Sequence, residues 1–153
     1  MGATATVDAA WDAGVRLFDS APWYGLGLAE HRLGHALRRR QRSEYVLTTK
    51  VGRVLERPFD PSGFKSGTWT GGLKFEHRFD YRYDAIMRSY EDSLQRLSIN
   101  TVDALIIHDL DEIYHREEFG YRKRDLVNSG IKALEELKRR GDIKAIGMGI
   151  NTR

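Results

Sequence analysis

Apolar residues along this chain recur with two alternating periods. Val7, Ala10, Trp11 and Ala13 fall at helical spacing and Gly14 supplies a C-terminal stop, after which Val15 to Asp19 reads as a short, buried strand. The pattern then repeats. A helix is predicted over about 29–40, with Leu33, Ala36 and Leu37 facing inward, followed by a β-rich segment from Tyr45 to Lys50. Tyr83 to Leu97 places Ile86, Tyr90, Leu94 and Leu97 on one helical face, and Val102 to His108 is strongly strand-like. A further helix over Lys132 to Arg140, starting near Arg124, leads to a fourth strand at Ile143 to Gly147. Strands that alternate with helices and are apolar throughout predict an α/β fold with a parallel sheet covered by helices.

One stretch breaks the rhythm. From Val51 to Phe79 no period is sustained, and Pro58, Pro61, Gly63, Gly67, Gly71 and Gly72 punctuate a segment that carries Trp69 and several charges, so the expectation is a long loop over about 51–80. Loops of that length are uncommon in compact domains and often serve as lids or binding loops.

The strand ends carry the candidate chemistry. Asp19, Lys50 and His108 each close an apolar run, and Tyr24 follows Asp19 in the adjoining loop. Side chains alternate along a strand, so Asp19 shares a face with Val15 and Leu17, and His108 shares one with Ala104 and Ile106. In α/β barrels the active site lies at the C-terminal strand ends. A carboxylate, an ammonium, a phenol and an imidazole gathered there would form a proton-transfer site.

Composition narrows the class without changing this reading. The chain has 153 residues, 41% hydrophobic and 31% charged, with no cysteine, which excludes disulfides and thiolate metal sites. The net charge of +3 comes from basic residues dispersed among nearly as many acids, which argues against a nucleic-acid partner. Only Arg38, Arg39, Arg40 and Arg42 form a dense basic run, read as a solvated helix end complementing the helix dipole. No apolar stretch approaches the roughly 18 residues needed to cross a bilayer. The expectation is a cytoplasmic protein that acts on small molecules, with neither a nucleic acid nor a membrane as partner. His31 and His35 stand at i and i+4, a zinc-ligand spacing, but Arg32 stands where a metalloprotease helix would carry Glu, so no metal is assigned.

The motifs, taken in order, resemble the aldo-keto reductases. They are Gly14-Val15-Arg16-Leu17-Phe18-Asp19-Ser20-Ala21 with Tyr24-Gly25, Glu30 with Leu33-Gly34, Thr49-Lys50, Asp103 with Ile107-His108, and Ile143-Lys144-Ala145-Ile146-Gly147. The resemblance implies a parallel (β/α) TIM barrel. It implies hydride transfer between NAD or NADP and a carbonyl or sugar, with Tyr24 as acid and base, Lys50 favouring the phenolate, Asp19 orienting Lys50 and touching the cofactor, and His108 bonding the substrate oxygen. Asn151 would contact the nicotinamide carboxamide, although the Ser that precedes it in the family is absent here. Trp23 and Trp69 would pack against a sugar or aromatic substrate. The loop after Lys50, Glu56-Arg57-Pro58 and His108-Asp109-Leu110-Asp111 resemble the bacterial branch that oxidises aldoses such as fucose or galactose, and pyridoxal dehydrogenases are similar.

The same residues allow plainer roles. Asp19 and Lys50 suit a structural ion pair, Tyr24 a loop aromatic, and His108 a satisfied strand end. A whole barrel needs about 250 residues, so the resemblance implies a single partial barrel over 1–153 with about four strands, lacking the first strand and the C-terminal half. Unpaired strand edges and an exposed inner face would favour self-association. The alternative to an enzyme is therefore a non-catalytic half-barrel that self-associates.

Overall fold

Gly14 sets the first turn of the fold. The computed structural model describes residues 2–65 and 67–151, and in it helix α1 (Ala3–Asp12) closes through Gly14 at φ 91 into strand β1 (Leu17–Asp19). Glycine reaches that left-handed backbone without the clash a Cβ would bring. Strands β2 (Val46–Val51), β5 (Ala104–His108) and β6 (Ala145–Gly149) join β1 in one parallel sheet of order β1-β2-β5-β6. The crossovers are helices α2 (Leu28–Leu37), α3 (Tyr83–Leu97) and a last run of α4 (Glu112–His115), α5 (Phe119–Asp125) and α6 (Ile131–Arg140). This arrangement is part of an α/β barrel, with helices on one face of the sheet.

Side-chain alternation sorts the two faces. Phe18, Leu47, Leu105 and Ile107 point to the helices and pack with Leu37, Ile86, Leu97, Leu134 and Leu137 in a single buried core. Burying each such side chain is worth about 1.5–3 kcal/mol. Leu17 and Val46 face the other way and stay 63% and 42% exposed. Register fixes which residues meet across that inner face: Lys50 pairs with Ile106, and Ile106 with Gly147. A Cβ on Gly147 would come within 2.8 Å of the Ile106 side chain, so a larger residue there would crowd the strand that carries His108.

Two close contacts lock the helices. Gly34 lets α2 approach α3 so nearly that an added Cβ would stand 1.9 Å from the Leu97 carbonyl oxygen. Beside it the fully buried Glu30 accepts from Thr49 Oγ1 at 2.6 Å and from Arg96 Nε at 2.6 Å, which ties α2 to β2 and α3. The Glu30 and Leu33-Gly34 motif is thus a packing device.

Several expectations need correction. The segment over 51–80 is not structureless, because β3 (Arg53–Glu56) and β4 (Glu76–Phe79) form an antiparallel hairpin. Its strands are four residues long and pair Val54 with Arg78 and Leu55 with His77, so no apolar period exists within either strand alone. The last helical run begins at Phe119 rather than near Arg124, because a π turn at Leu126–Gly130 shifts the phase that links Phe119 to the α6 core residues. The fourth strand starts at Ala145, since the buried Ile143 turns into the helix layer before it. The arginine run is also committed to specific partners. Arg39 and Arg40 bond Asp8 of α1 at 2.9 Å, and Arg42 bonds Asp103 at 2.5 Å.

Gly34→Ala is expected to destabilise the chain by about 2–3 kcal/mol through overpacking against α3. Urea unfolding measures the difference, and an unchanged midpoint would contradict the close approach.

Candidate active site

Lys50 is the last inward-facing residue of β2, flanked by the strands that end in Asp19 and His108. Its ammonium is nearly buried, and a buried cation requires an opposite charge and hydrogen bonds. Both are present: Lys50 Nζ donates to Asp19 Oδ2 and, at 2.9 Å, to the Ser20 carbonyl oxygen. Thr48 Oγ1 donates to the other Asp19 oxygen at 2.6 Å, which leaves the carboxylate little freedom to turn away. An ammonium has three hydrogens, so one remains after these two bonds.

Tyr24 is brought over that ammonium by a strained turn. Gly25, Leu26 and Gly27 take φ values of 63, 55 and 99, and Leu26 is there despite its Cβ. The turn sets the Tyr24 ring centroid 4.9 Å from Lys50 Nζ and 5.8 Å from the His108 ring, edge to face. The hairpin segment closes on the same turn, since Leu73 N donates to the Gly25 carbonyl oxygen at 2.9 Å. Trp69 thereby reaches Tyr24 at 5.9 Å and Trp23 at 5.8 Å, while Trp23 also lies 4.2 Å from the His77 ring. Asp19, Tyr24, Lys50, His108, Trp23 and Trp69 therefore meet around one mouth.

Asn151 stands differently from the expectation. Its carboxamide nitrogen donates to Asp109 Oδ1 at 3.1 Å and to Asp111 Oδ2 at 3.2 Å, and its backbone nitrogen donates to Asp111 at 2.8 Å. Its donors are used within the fold, which leaves its amide oxygen as the group available to a ligand. Those bonds, outweighing the upward push of burial, hold the Asp111 carboxyl below its ordinary range.

Sequence reasoning passed over Arg53, His77 and Tyr81, and read Asp109 only as part of the run His108-Asp109-Leu110-Asp111. Arg53 is almost fully buried; it donates twice to Asp109 Oδ2, at 3.0 and 2.6 Å, and bonds His77 Nε2 at 2.8 Å. The Tyr81 hydroxyl donates to the His108 carbonyl oxygen at 2.8 Å and so braces the strand end from behind. A signal did exist in the sequence, since Arg53 stands three residues after Lys50 and Asp109 directly follows His108. Burial drives the His108 imidazole down to about 4, with Arg53 and Lys50 pushing the same way against Asp109. Burial and the Arg53 charge likewise lower His77 to about 4. Both rings are therefore neutral near pH 7.

A family model described as the aldo/keto reductase family matches residues 2–152. The chain belongs to the aldo/keto reductase family. It is 41% identical over 158 aligned positions to a pyridoxal 4-dehydrogenase of Microbacterium luteolum, covering 97% of this chain and 46% of that protein. A D-threo-aldose 1-dehydrogenase of a Pseudomonas species is 37% identical, covering 96% of this chain and 43% of its own length. Among solved structures, the glycerol dehydrogenase of Gluconobacter oxydans superposes with a TM-score of 0.70 at 27% identity, over 97% of this chain and 38% of that one. The chain thus spans less than half the length of the relatives it matches.

The neutral histidines make stability depend on pH. Their folded values near 4 lie below the ordinary 6.5, so between those limits the unfolded chain binds more protons. Stability is expected to fall as pH drops from about 6.5 towards 4, by at most about 3 kcal/mol per ring, with no loss from these groups above pH 7. Urea unfolding across that range, beside an NMR titration of both rings, checks the sign. A His108 that titrates near its ordinary value would refute the burial argument.

Proposed function

We propose that this chain carries the proton-handling side of a nicotinamide-dependent oxidoreductase, with Tyr24 as the acid and base. The observation that supports this most directly is the Lys50 ammonium, ion-paired with Asp19 and 4.9 Å from the Tyr24 ring at a mouth shared with His108. In carbonyl reduction, Tyr24 gives its hydroxyl proton to the substrate oxygen as the carbon gains a hydride. In alcohol oxidation, the Tyr24 oxygen takes that proton back as the hydride leaves. Lys50 favours the negative charge on the phenol oxygen, Asp19 keeps the ammonium in place, and neutral His108 bonds the substrate oxygen.

The residues at the mouth fit a nicotinamide. Leu17 offers an exposed apolar surface, and beside it the Asp19 side chain is 41% exposed with an oxygen for an amide N–H. The Asn151 amide oxygen is a further acceptor. When bound, NAD or NADP supplies the donor or acceptor of the hydride. Trp23, Trp69 and His77 form an aromatic wall suited to a sugar or pyridine ring. With the aldose and pyridoxal dehydrogenases as relatives, this favours a neutral aldose oxidised to its lactone, or an aldehyde or ketone of similar size. A cytoplasmic setting agrees with this use of a soluble cofactor, and residues 1–153 are read as one partial barrel.

A second reading rests on exposed apolar residues in and beside the sheet. Leu17, Val46, Met148 and Ile150 are 63%, 42%, 55% and 43% exposed, and Met148 and Ile150 line an apolar groove of about 570 Å³ with Phe119 and Val127. A non-catalytic half-barrel that self-associates would cover them. In sedimentation this reading expects a dimer or larger species with no cofactor binding. A monomer, or micromolar quenching of protein fluorescence by NADH or NADPH, would remove it.

Tyr24→Phe in the intact protein is expected to lower turnover by about 10²–10⁴ while leaving cofactor affinity unchanged. Steady-state kinetics and cofactor titration separate the two effects, and retained turnover would sink the assignment of Tyr24.

A further inference from the structure

Asp109 stands in the left-handed region at φ 52, where a residue with a Cβ is uncommon and Asp is among the better tolerated. Its backbone nitrogen is held there by the Gly149 carbonyl oxygen at 2.8 Å. This turn swings the carboxylate back along its own neighbour, so that Oδ2 lies 3.3 Å from His108 Nε2. The carboxylate is clamped from two other elements. Arg53 of β3 takes Oδ2 through two N–H groups at 3.0 and 2.6 Å, and Asn151 beyond β6 takes Oδ1 at 3.1 Å. Arg53 is itself held, 3% exposed, with its guanidinium 4.3 Å from the Phe79 ring and 4.5 Å from the Trp23 ring.

A carboxylate has only lone pairs to offer, so the His108 nitrogen beside it is favoured as N–H. The other ring nitrogen, Nδ1, is buried with no hydrogen-bond partner among the described residues. Placing the hydrogen on Nδ1 would bury an unmet donor there and turn the Nε2 lone pair towards a negative charge. At 3.3 Å the contact is long for a hydrogen bond, so it selects the position of the proton without using up the donor.

We propose that Asp109, clamped by Arg53 and Asn151, is a positioning residue that holds His108 as its neutral Nε2–H tautomer, with that hydrogen available to a substrate oxygen. The inference rests on the proton-transfer reading only for its catalytic consequence. It also gives the β3–β4 hairpin a role beyond covering the mouth, because Arg53 carries the orientation of the hairpin to the imidazole through one carboxylate.

The test is long-range ¹⁵N NMR of the histidine rings in the intact protein, with and without Asp109→Asn. Asn keeps the left-handed backbone accessible and removes the charge, exchanging one acceptor oxygen for an NH2 donor. The native protein is expected to show His108 as a single Nε2–H tautomer. The variant is expected to show a mixture with the Nδ1–H form and a kcat about tenfold or more lower at unchanged cofactor affinity. Leaving Arg53 buried without its partner endangers folding, so the double variant Arg53→Met with Asp109→Asn, which removes both charges, serves as the second measurement and is expected to show the same mixture. A native ring already in the Nδ1–H form, a single Nε2–H form kept in the folded variants, or an unchanged kcat would each overturn the proposal. The tautomer is read without turnover, so a failure of Tyr24 as the acid would leave that measurement standing.

Discussion

The buried ammonium of Lys50 is the constraint on which the site depends. A cation at the end of a central strand, 7% exposed, is tolerable only where a carboxylate and a carbonyl oxygen take its hydrogens. Asp19 and Ser20 do so from the end of β1, and parallel pairing aligns that end with β2 through the partnering of Asp19 with Thr48. The register of two strands therefore becomes the geometry of an ion pair. Tyr24 follows in turn, because the turn after β1 sets its ring 4.9 Å from the Lys50 ammonium.

A second ion pair, Arg53 with Asp109, repeats this logic across the mouth. The two pairs sum to no net charge, and the His77 and His108 rings add none near pH 7 because both are pushed down to about 4. A free charge is thus absent from the wall formed by these groups, while polarity is high. On the proposed reading, such a lining would suit a neutral polyhydroxylated or aromatic carbonyl substrate better than an anionic one, which would find Arg53 and Lys50 already engaged. On the same reading, a neutral His108 would offer its N–H to the substrate oxygen, and Tyr24 would be the group that moves a proton.

Much of this was legible in the sequence. Asp19, Lys50 and His108 showed themselves as polar residues closing apolar runs, a signal that depends only on strand burial and alternation. Helix α3 could be read residue for residue because its apolar face keeps one phase over Tyr83–Leu97. The hairpin was hidden because its order lies in cross-strand pairs that join Arg53 with Phe79 and Leu55 with His77, across more than twenty residues of intervening chain. The pairing of Arg53 with Asp109 was hidden for a related reason. A charged residue in a loop segment ordinarily signals solvent, and only the tertiary fold brings these two together beneath Trp23 and Phe79.

The two ends of the sheet divide stability from chemistry. At the N-terminal end of the strands, Asp103 accepts from Arg42, Lys144 and the Leu47 backbone nitrogen, and the left-handed residues there, Gly14, Ser98 and Gly141, follow helix ends and orient no side chain of the site. At the C-terminal end, Leu26 and Asp109 occupy left-handed conformations that cost energy, and the side chains they orient are those of the candidate site. Strain of this kind persists only where the surroundings over-determine it. The turn that carries Tyr24 runs directly into α2 and is anchored by the packing of that helix on α3, while Asp109 is held by the Gly149 carbonyl oxygen, Arg53 and Asn151.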